Sequence, residues 1–353
     1  MIPRLAFAFA FVLVGCGPSS APVAPTAPTP STPAAPVTSY AASPLALPGA
    51  GPDGVLMDYI IFNPRTKTVW APAGNTAAVD VVDTTNRHIA QVTGFPTQEM
   101  ERRGRKRTVG PSSATLGDAG TVYVGTRGDS SVCAVDETKL ARGTCGKLDA
   151  MPDGIAYVAK TKEVWVTTPR DKSIRILDAT TLAQKARLPF DGAPEGFAVD
   201  ATRNRFYTNL EDKDVTLAID LTTHATVATW KSACGEDGPH GIRLAEKEGF
   251  LLLACSTKTE TLDVGHDGAI VGSIDTGDGV DDLDYVPATH LVYVGAAKDA
   301  KLTIASLDAK GALGSVAVVP TKQGARNPAA AADGSVYLPN SQGGELIVVA
   351  PAH

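Results

Sequence analysis

Residues 151–192, MPDGIAYVAKTKEVWVTTPRDKSIRILDATTLAQKARLPFDG, hold four short runs of strand-forming residues in 42 positions. The runs are Ile155–Val158, Glu163–Thr167, Ile174–Asp178 and Ala183–Pro189. β-Branched and aromatic residues fill them, and Pro-Asp-Gly, Lys-Thr-Lys and Thr-Thr mark the gaps. The unit recurs. Aligned on Asp153, its counterparts are Asp58, Ser112, Glu195, His240, Asp281 and Asn327, at spacings of 54, 41, 42, 45, 41 and 46 residues. Four strands in roughly 40–45 residues is the period of a β-propeller blade, which buries its faces only by stacking on neighbours around an axis. The fold expected is therefore all-β, a seven-bladed propeller of four-stranded blades over residues 38–353. The seventh unit ends after its third strand. Ser43–Leu47, ahead of Pro48-Gly49, is expected to supply the fourth and close the ring without an open seam.

The second strands share a motif: Val122-Tyr123-Val124-Gly125, Val164-Trp165-Val166-Thr167, Phe206-Tyr207-Thr208-Asn209, Val292-Tyr293-Val294-Gly295 and Val336-Tyr337-Leu338-Pro339-Asn340. The third strands end in a hydrophobic residue and an aspartate, at Asp83, Asp136, Asp178, Asp220 and Asp308. This pattern resembles the YVTN family of bacterial seven-bladed propellers over about residues 54–350. The aromatic is expected to pack between blades, and the aspartate to bond backbone N–H groups of the following turn. Both are structural roles.

The N-terminus reads as an address. Arg4 precedes the apolar run Leu5–Val14, which is too short for a mature spanning helix. Leu13-Val14-Gly15-Cys16 then resembles the bacterial lipoprotein cleavage box. That resemblance implies a signal peptide over 1–15 and a lipidated Cys16, a membrane-attached residue. Gly17 after it favours the outer membrane of a Gram-negative cell. Residues 16–37, rich in Pro, Ala, Ser and Thr, are expected to form a tether without a core. A net charge of −6 does not favour nucleic acid as a partner.

The aligned residues Asp58, Ser112, Asp153, Glu195, His240, Asp281 and Asn327 lead into the innermost strands, so they are expected to ring the mouth of the channel as a ligand-binding set. Three of them stand in a Pro-X-Gly frame (Pro152-Asp153-Gly154, Pro194-Glu195-Gly196, Pro239-His240-Gly241) that fixes φ on one side and permits close backbone approach on the other. Converging carboxylates raise one another's pKa, and a cation relieves this. Oxygen ligands with one imidazole suit one divalent ion, Ca²⁺, Mg²⁺, Mn²⁺ or Zn²⁺. The Pro-Asp-Gly and Asn residues also resemble the blade-leading motifs of the gluconolactonase and senescence-marker-protein propellers. That resemblance implies Asp153, Glu195 and Asn327 as metal ligands. Those enzymes are six-bladed, so it transfers a position and not an activity.

Two functions follow. The first is a binding or scaffold module of the cell envelope, its partner a protein, a polysaccharide or a small ligand. The alternative is a metal-dependent, lactonase-like hydrolase with Glu195 or His240 as base. A monomer is expected. Four further cysteines fit two disulfides in an oxidising compartment, Cys133 with Cys145 on neighbouring strands and Cys234 with Cys255. The long first spacing carries a basic insertion, residues 101–107 (ERRGRKR), expected on the same side as the ring. It reads as a solvated loop or as an arm for an anionic ligand. No Gly-x-Ser-x-Gly, Walker or dinucleotide motif occurs.

Overall fold

The computed structural model describes Met1 and residues 39–102, 104–118 and 120–352. The targeting segment, Cys16 and the Pro-rich tether lie outside the described residues. No helix among those residues is long and apolar enough to cross a membrane.

Seven four-stranded antiparallel sheets follow one another along the chain. Blade three, with strands Ile155–Val158, Glu163–Thr168, Ser173–Asp178 and Gln184–Pro189, reproduces the expected boundaries to within a residue at each end. Blade seven is closed as expected: Ser39–Ala46 pairs antiparallel with Glu345–Ala352, the neighbour of Val336–Asn340. The closing strand starts earlier than the sequence suggested, at Ser39, and pairs in unbroken register from Ser39 with Ala352 to Ala46 with Glu345.

The core is a set of wedges between blades. Seven clusters of buried side chains occur among the described residues, each shared by two adjacent blades. Sheets whose two faces are both covered must be apolar on both, and the second strands are accordingly buried along nearly their whole length. The motif aromatics fill the wedges. Trp165 of blade three stacks on Phe206 of blade four with centroids 4.7 Å apart. Tyr123 of blade two donates its hydroxyl to the Ala179 carbonyl of blade three at 2.8 Å. The terminal aspartates hold turns. Asp178 accepts the Thr180 and Thr181 N–H groups at 3.0 and 2.8 Å, and Asp220 repeats this with Thr222 and Thr223 at 3.0 and 2.9 Å. These bonds depress both carboxyls below the usual range.

Two disulfides staple the ring. Cys133 and Cys145 are direct cross-strand partners in blade two, with Cα atoms 4.0 Å apart. Cys234 and Cys255 join the loop before blade five to that blade's second strand, at 5.1 Å. The basic insertion is a hairpin, Gln98–Arg102 paired with Arg105–Val109, inserted between blades one and two.

Candidate functional site at the channel mouth

The Pro-X-Gly frames stand where successive blades press together. A Cβ at Gly154 would fall on the Phe197 ring, one at Gly196 on the His240 carbonyl, and one at Gly241 on the Asp282 carboxylate. Glycine at these positions lets each blade's leading segment nest against the next. The residue before it then faces the mouth of the channel.

A cavity of about 450 Å³ opens there. Six of the seven aligned residues line it, namely Asp58, Ser112, Asp153, Glu195, His240 and Asp281. Asn327, the seventh, is almost wholly buried beside them with φ of 52°. Its Nδ2 donates to Asp58 Oδ1 at 3.2 Å and to Asp281 Oδ2 at 2.8 Å, while its Oδ1 is buried without a partner.

The expected relief of charge by a cation takes two forms. On the side of blades one to three it is built in. Arg127 pairs with Asp58 Oδ2 at 2.7 Å and with Asp153 as well. Burial lifts the Asp153 carboxyl to about 6, against the pull of Arg127. Arg326 stands 3.4 Å from Asp281. Between blades four and five no arginine reaches the acids among the described residues. His240 Nδ1 lies 3.0 Å from Glu195 Oε2 and 3.7 Å from Glu211 Oε2, and its Nε2 lies 3.3 Å from the Ser256 hydroxyl. Burial and neighbouring carboxylates raise the Glu195 carboxyl well above its usual range. Desolvation opposes the imidazolium, yet the hydrogen bonds to Glu195 and Glu211 prevail and hold His240 up at about 10.

Glu195, Glu211 and His240 form a candidate metal cluster, with one ligand atom from each lying within 4.8 Å of the others. Two carboxylates and an imidazole suit a hard or borderline divalent ion. The Ser256 contact on the far ring nitrogen would orient the imidazole. Of the ligands suggested by resemblance, Glu195 belongs to this cluster. Asp153 and Asn327 stand outside it, held by Arg127 and by Asp58 and Asp281. Cys234, Cys255 and Glu260 also converge. Their two sulfurs are joined in a disulfide, however, and Glu260 is engaged by Lys258 at 2.6 Å and the Ala233 N–H at 3.0 Å.

Arg127, Glu211 and Ser256 were not singled out from the sequence. Each is the residue directly after its blade's second strand. Extending the second-strand alignment by one residue would have revealed this second ring, which also contains Ser341, bonded to the Met57 N–H at 3.1 Å.

No protein-family model matches the chain. No curated protein matches it either. Solved structures do share the fold. A chain of a mitotic checkpoint complex matches with a TM-score of 0.69 at 14% identity, covering 88% of this chain and 94% of its own. A chain of hydrazine synthase from Kuenenia stuttgartiensis gives 0.68 at 14% identity, covering 84% and 95%. A streptogramin B lyase gives 0.68 at 12% identity, covering 88% and 97%. At such identities the likeness is one of fold.

Proposed function

We propose that the channel mouth is a catalytic site for metal-assisted cleavage of an ester or lactone. The observation that carries this is the convergence of Glu195, Glu211 and His240 on a cavity whose volume falls within the roughly 300–1,000 Å³ common for small-molecule sites. Perturbed acid and base groups facing one another in a concave pocket are the usual mark of acid–base chemistry. The fold also carries proteins named as a lyase and a synthase.

Glu195 and Glu211 would hold the ion, with His240 beside them. When bound, such an ion polarises a carbonyl and acidifies a water. Held protonated by the two glutamates, His240 would act as the acid that protonates the leaving oxygen, while a glutamate carboxylate would take the proton of the attacking water and afterwards return it to His240. Arg127 and Arg326 keep Asp58, Asp153 and Asp281 in place, so that the cavity wall does not collapse under like-charge repulsion. We further propose that the ring stands in the cell envelope, tethered through lipidated Cys16, where two disulfides persist.

The test is elemental analysis of the full-length chain after exposure to Mg²⁺, Mn²⁺ and Zn²⁺, alongside E195Q and E211Q, with a panel of lactones and esters. About one ion per chain is expected, lost together with turnover in both variants. A chain that retains no ion and is unchanged in melting temperature would overturn the catalytic reading. It would return the ring to the role of an envelope binding module.

A further inference from the structure

The hairpin between blades one and two leans on the mouth with one chosen face. In its register Met100 stands opposite Arg107, and Gln98 opposite Val109. Met100, Arg107 and Val109 line the 450 Å³ cavity. The pairs of opposite parity, Glu99 with Thr108 and Glu101 with Lys106, belong to the other face. Side chains alternate across a strand, so this hairpin turns two apolar groups and one guanidinium towards the mouth and its glutamates away from it. A second cavity, of about 580 Å³, adjoins the first and is lined by Glu99, Lys106 and Thr108 with Asp53 and Gln342; Leu56, Arg107 and Ser341 border both, so the exposed Arg107 guanidinium stands where the two cavities meet. At the root of the hairpin Gly110 lies against Gly74.

Arg170 lines the same cavity from blade three, on the turn Pro169–Asp171. Its neighbour Asp171 is spoken for by Ser173 at 2.6 Å, Arg175 at 2.7 Å and Arg187 at 3.2 Å. Arg107 and Arg170 form no ion pair with any described residue, in contrast to Arg127 and Arg326. The cavity therefore holds two kinds of arginine, one kind committed to ring acids and the other presenting donors to solvent. Five carboxylates and four guanidiniums line it. A divalent ion on the glutamate–histidine cluster would leave the wall with a positive excess.

We propose that the site takes a substrate bearing an anionic group, a carboxylate or a phosphate, gripped by Arg107 from the hairpin and Arg170 from blade three. Guanidinium is the side chain best shaped for both anions, through paired N–H donors. The proposal rests on the catalytic reading for the position of the reacting carbonyl, and its test stands apart from it.

The full-length chain is titrated calorimetrically with succinate and, separately, with inorganic phosphate, at low and high salt. R107E, R170E and the double variant are run beside it. Both residues are exposed, and an unchanged circular dichroism melt in each variant confirms folding. At least one anion is expected to bind the wild type more weakly as salt rises, with each substitution lowering affinity roughly tenfold and the double abolishing it. Binding of succinate alone assigns a carboxylate substrate, and binding of phosphate alone a phosphate one. Absence of heat with both anions overturns the proposal, as does binding that both variants retain. Metal content is measured on the same samples. Ion retained without anion binding sinks only the substrate class, and anion binding without ion sinks only the catalytic reading.

Discussion

The two halves of the channel mouth use equivalent positions and solve the same electrostatic problem differently. On the side of blades one to three, Asp58 and Asp153 share Arg127, a group charged at every pH of interest. Between blades four and five, Glu195 and Glu211 share only His240, whose charge a proton or a metal can replace. The first half is permanently satisfied and can only hold shape. The second is satisfied conditionally and can exchange its cation. On the proposed function, chemistry falls to one side of a ring whose sequence pattern is nearly uniform.

The largest expected effect comes from removing the permanent cation. R127M strands two partly buried carboxylates, with side chains 19% and 18% exposed, next to each other. A loss of about 3 kcal/mol in urea unfolding is expected, since an uncompensated buried charge costs more than the pair contributes. Asp153 already titrates near 6, and without the guanidinium its pKa rises further. A carboxyl raised above its unfolded value carries no penalty while both states are protonated, and the full penalty once the folded state ionises. R127M should therefore be hurt more at pH 8 than at pH 5. An equal loss at both would mean that Arg127 acts by packing, and the contrast between the halves would fall.

Much of this was legible in the sequence, for a physical reason. Blade period, strand motif and turn aspartates are local, and each repeats, so weak signals add. Even closure of the ring by the N-terminal strand could be read, because a three-stranded last unit demands a partner. The site was legible only in part. Alignment on the leading residue found the acids and His240. Arg127, Glu211 and Ser256 come from the turn after the second strand and meet that ring only in space. The charge balance of the mouth depends on them: Arg127 pairs with Asp58 and Asp153, acids for which the sequence alone shows no partner. The facing of Arg107 was out of reach because it depends on the register of the inserted hairpin.

Asp80 extends the comparison to a carboxylate with neither kind of cation. It is fully buried in the third strand of blade one. Its Oδ1 accepts Gln91 Nε2 at 2.7 Å and its Oδ2 has no partner. Burial lifts it to about 6. D80N should stabilise the protein by about 2 kcal/mol above pH 7, because the unfolded aspartate ionises near 4 while the folded one resists. The gap should close as pH falls towards 4, where both states of the wild type are protonated. Chemical unfolding at pH 8 and pH 4 measures it. A gap that persists at pH 4 would attribute the gain to packing.

The smallest effect is expected at Arg326, and it bounds the argument. Its side chain is 43% exposed and 3.4 Å from Asp281 Oδ2, which also receives Asn327 Nδ2 at 2.8 Å. Solvent screens the pair, and the amide supplies a shorter bond, so R326Q should cost less than about 1 kcal/mol. Salt sharpens the distinction. Added NaCl at 0.5 M should erase the R326Q difference and leave most of the R127M loss, since screening reaches an exposed pair and hardly a buried one. Should R326Q instead destabilise as much as R127M, at either salt, the acid of blade six would be as dependent on a fixed cation as those of blades one and three. Permanent compensation would then extend around most of the mouth, with blades four and five as the single gap where a metal or a substrate could take its place.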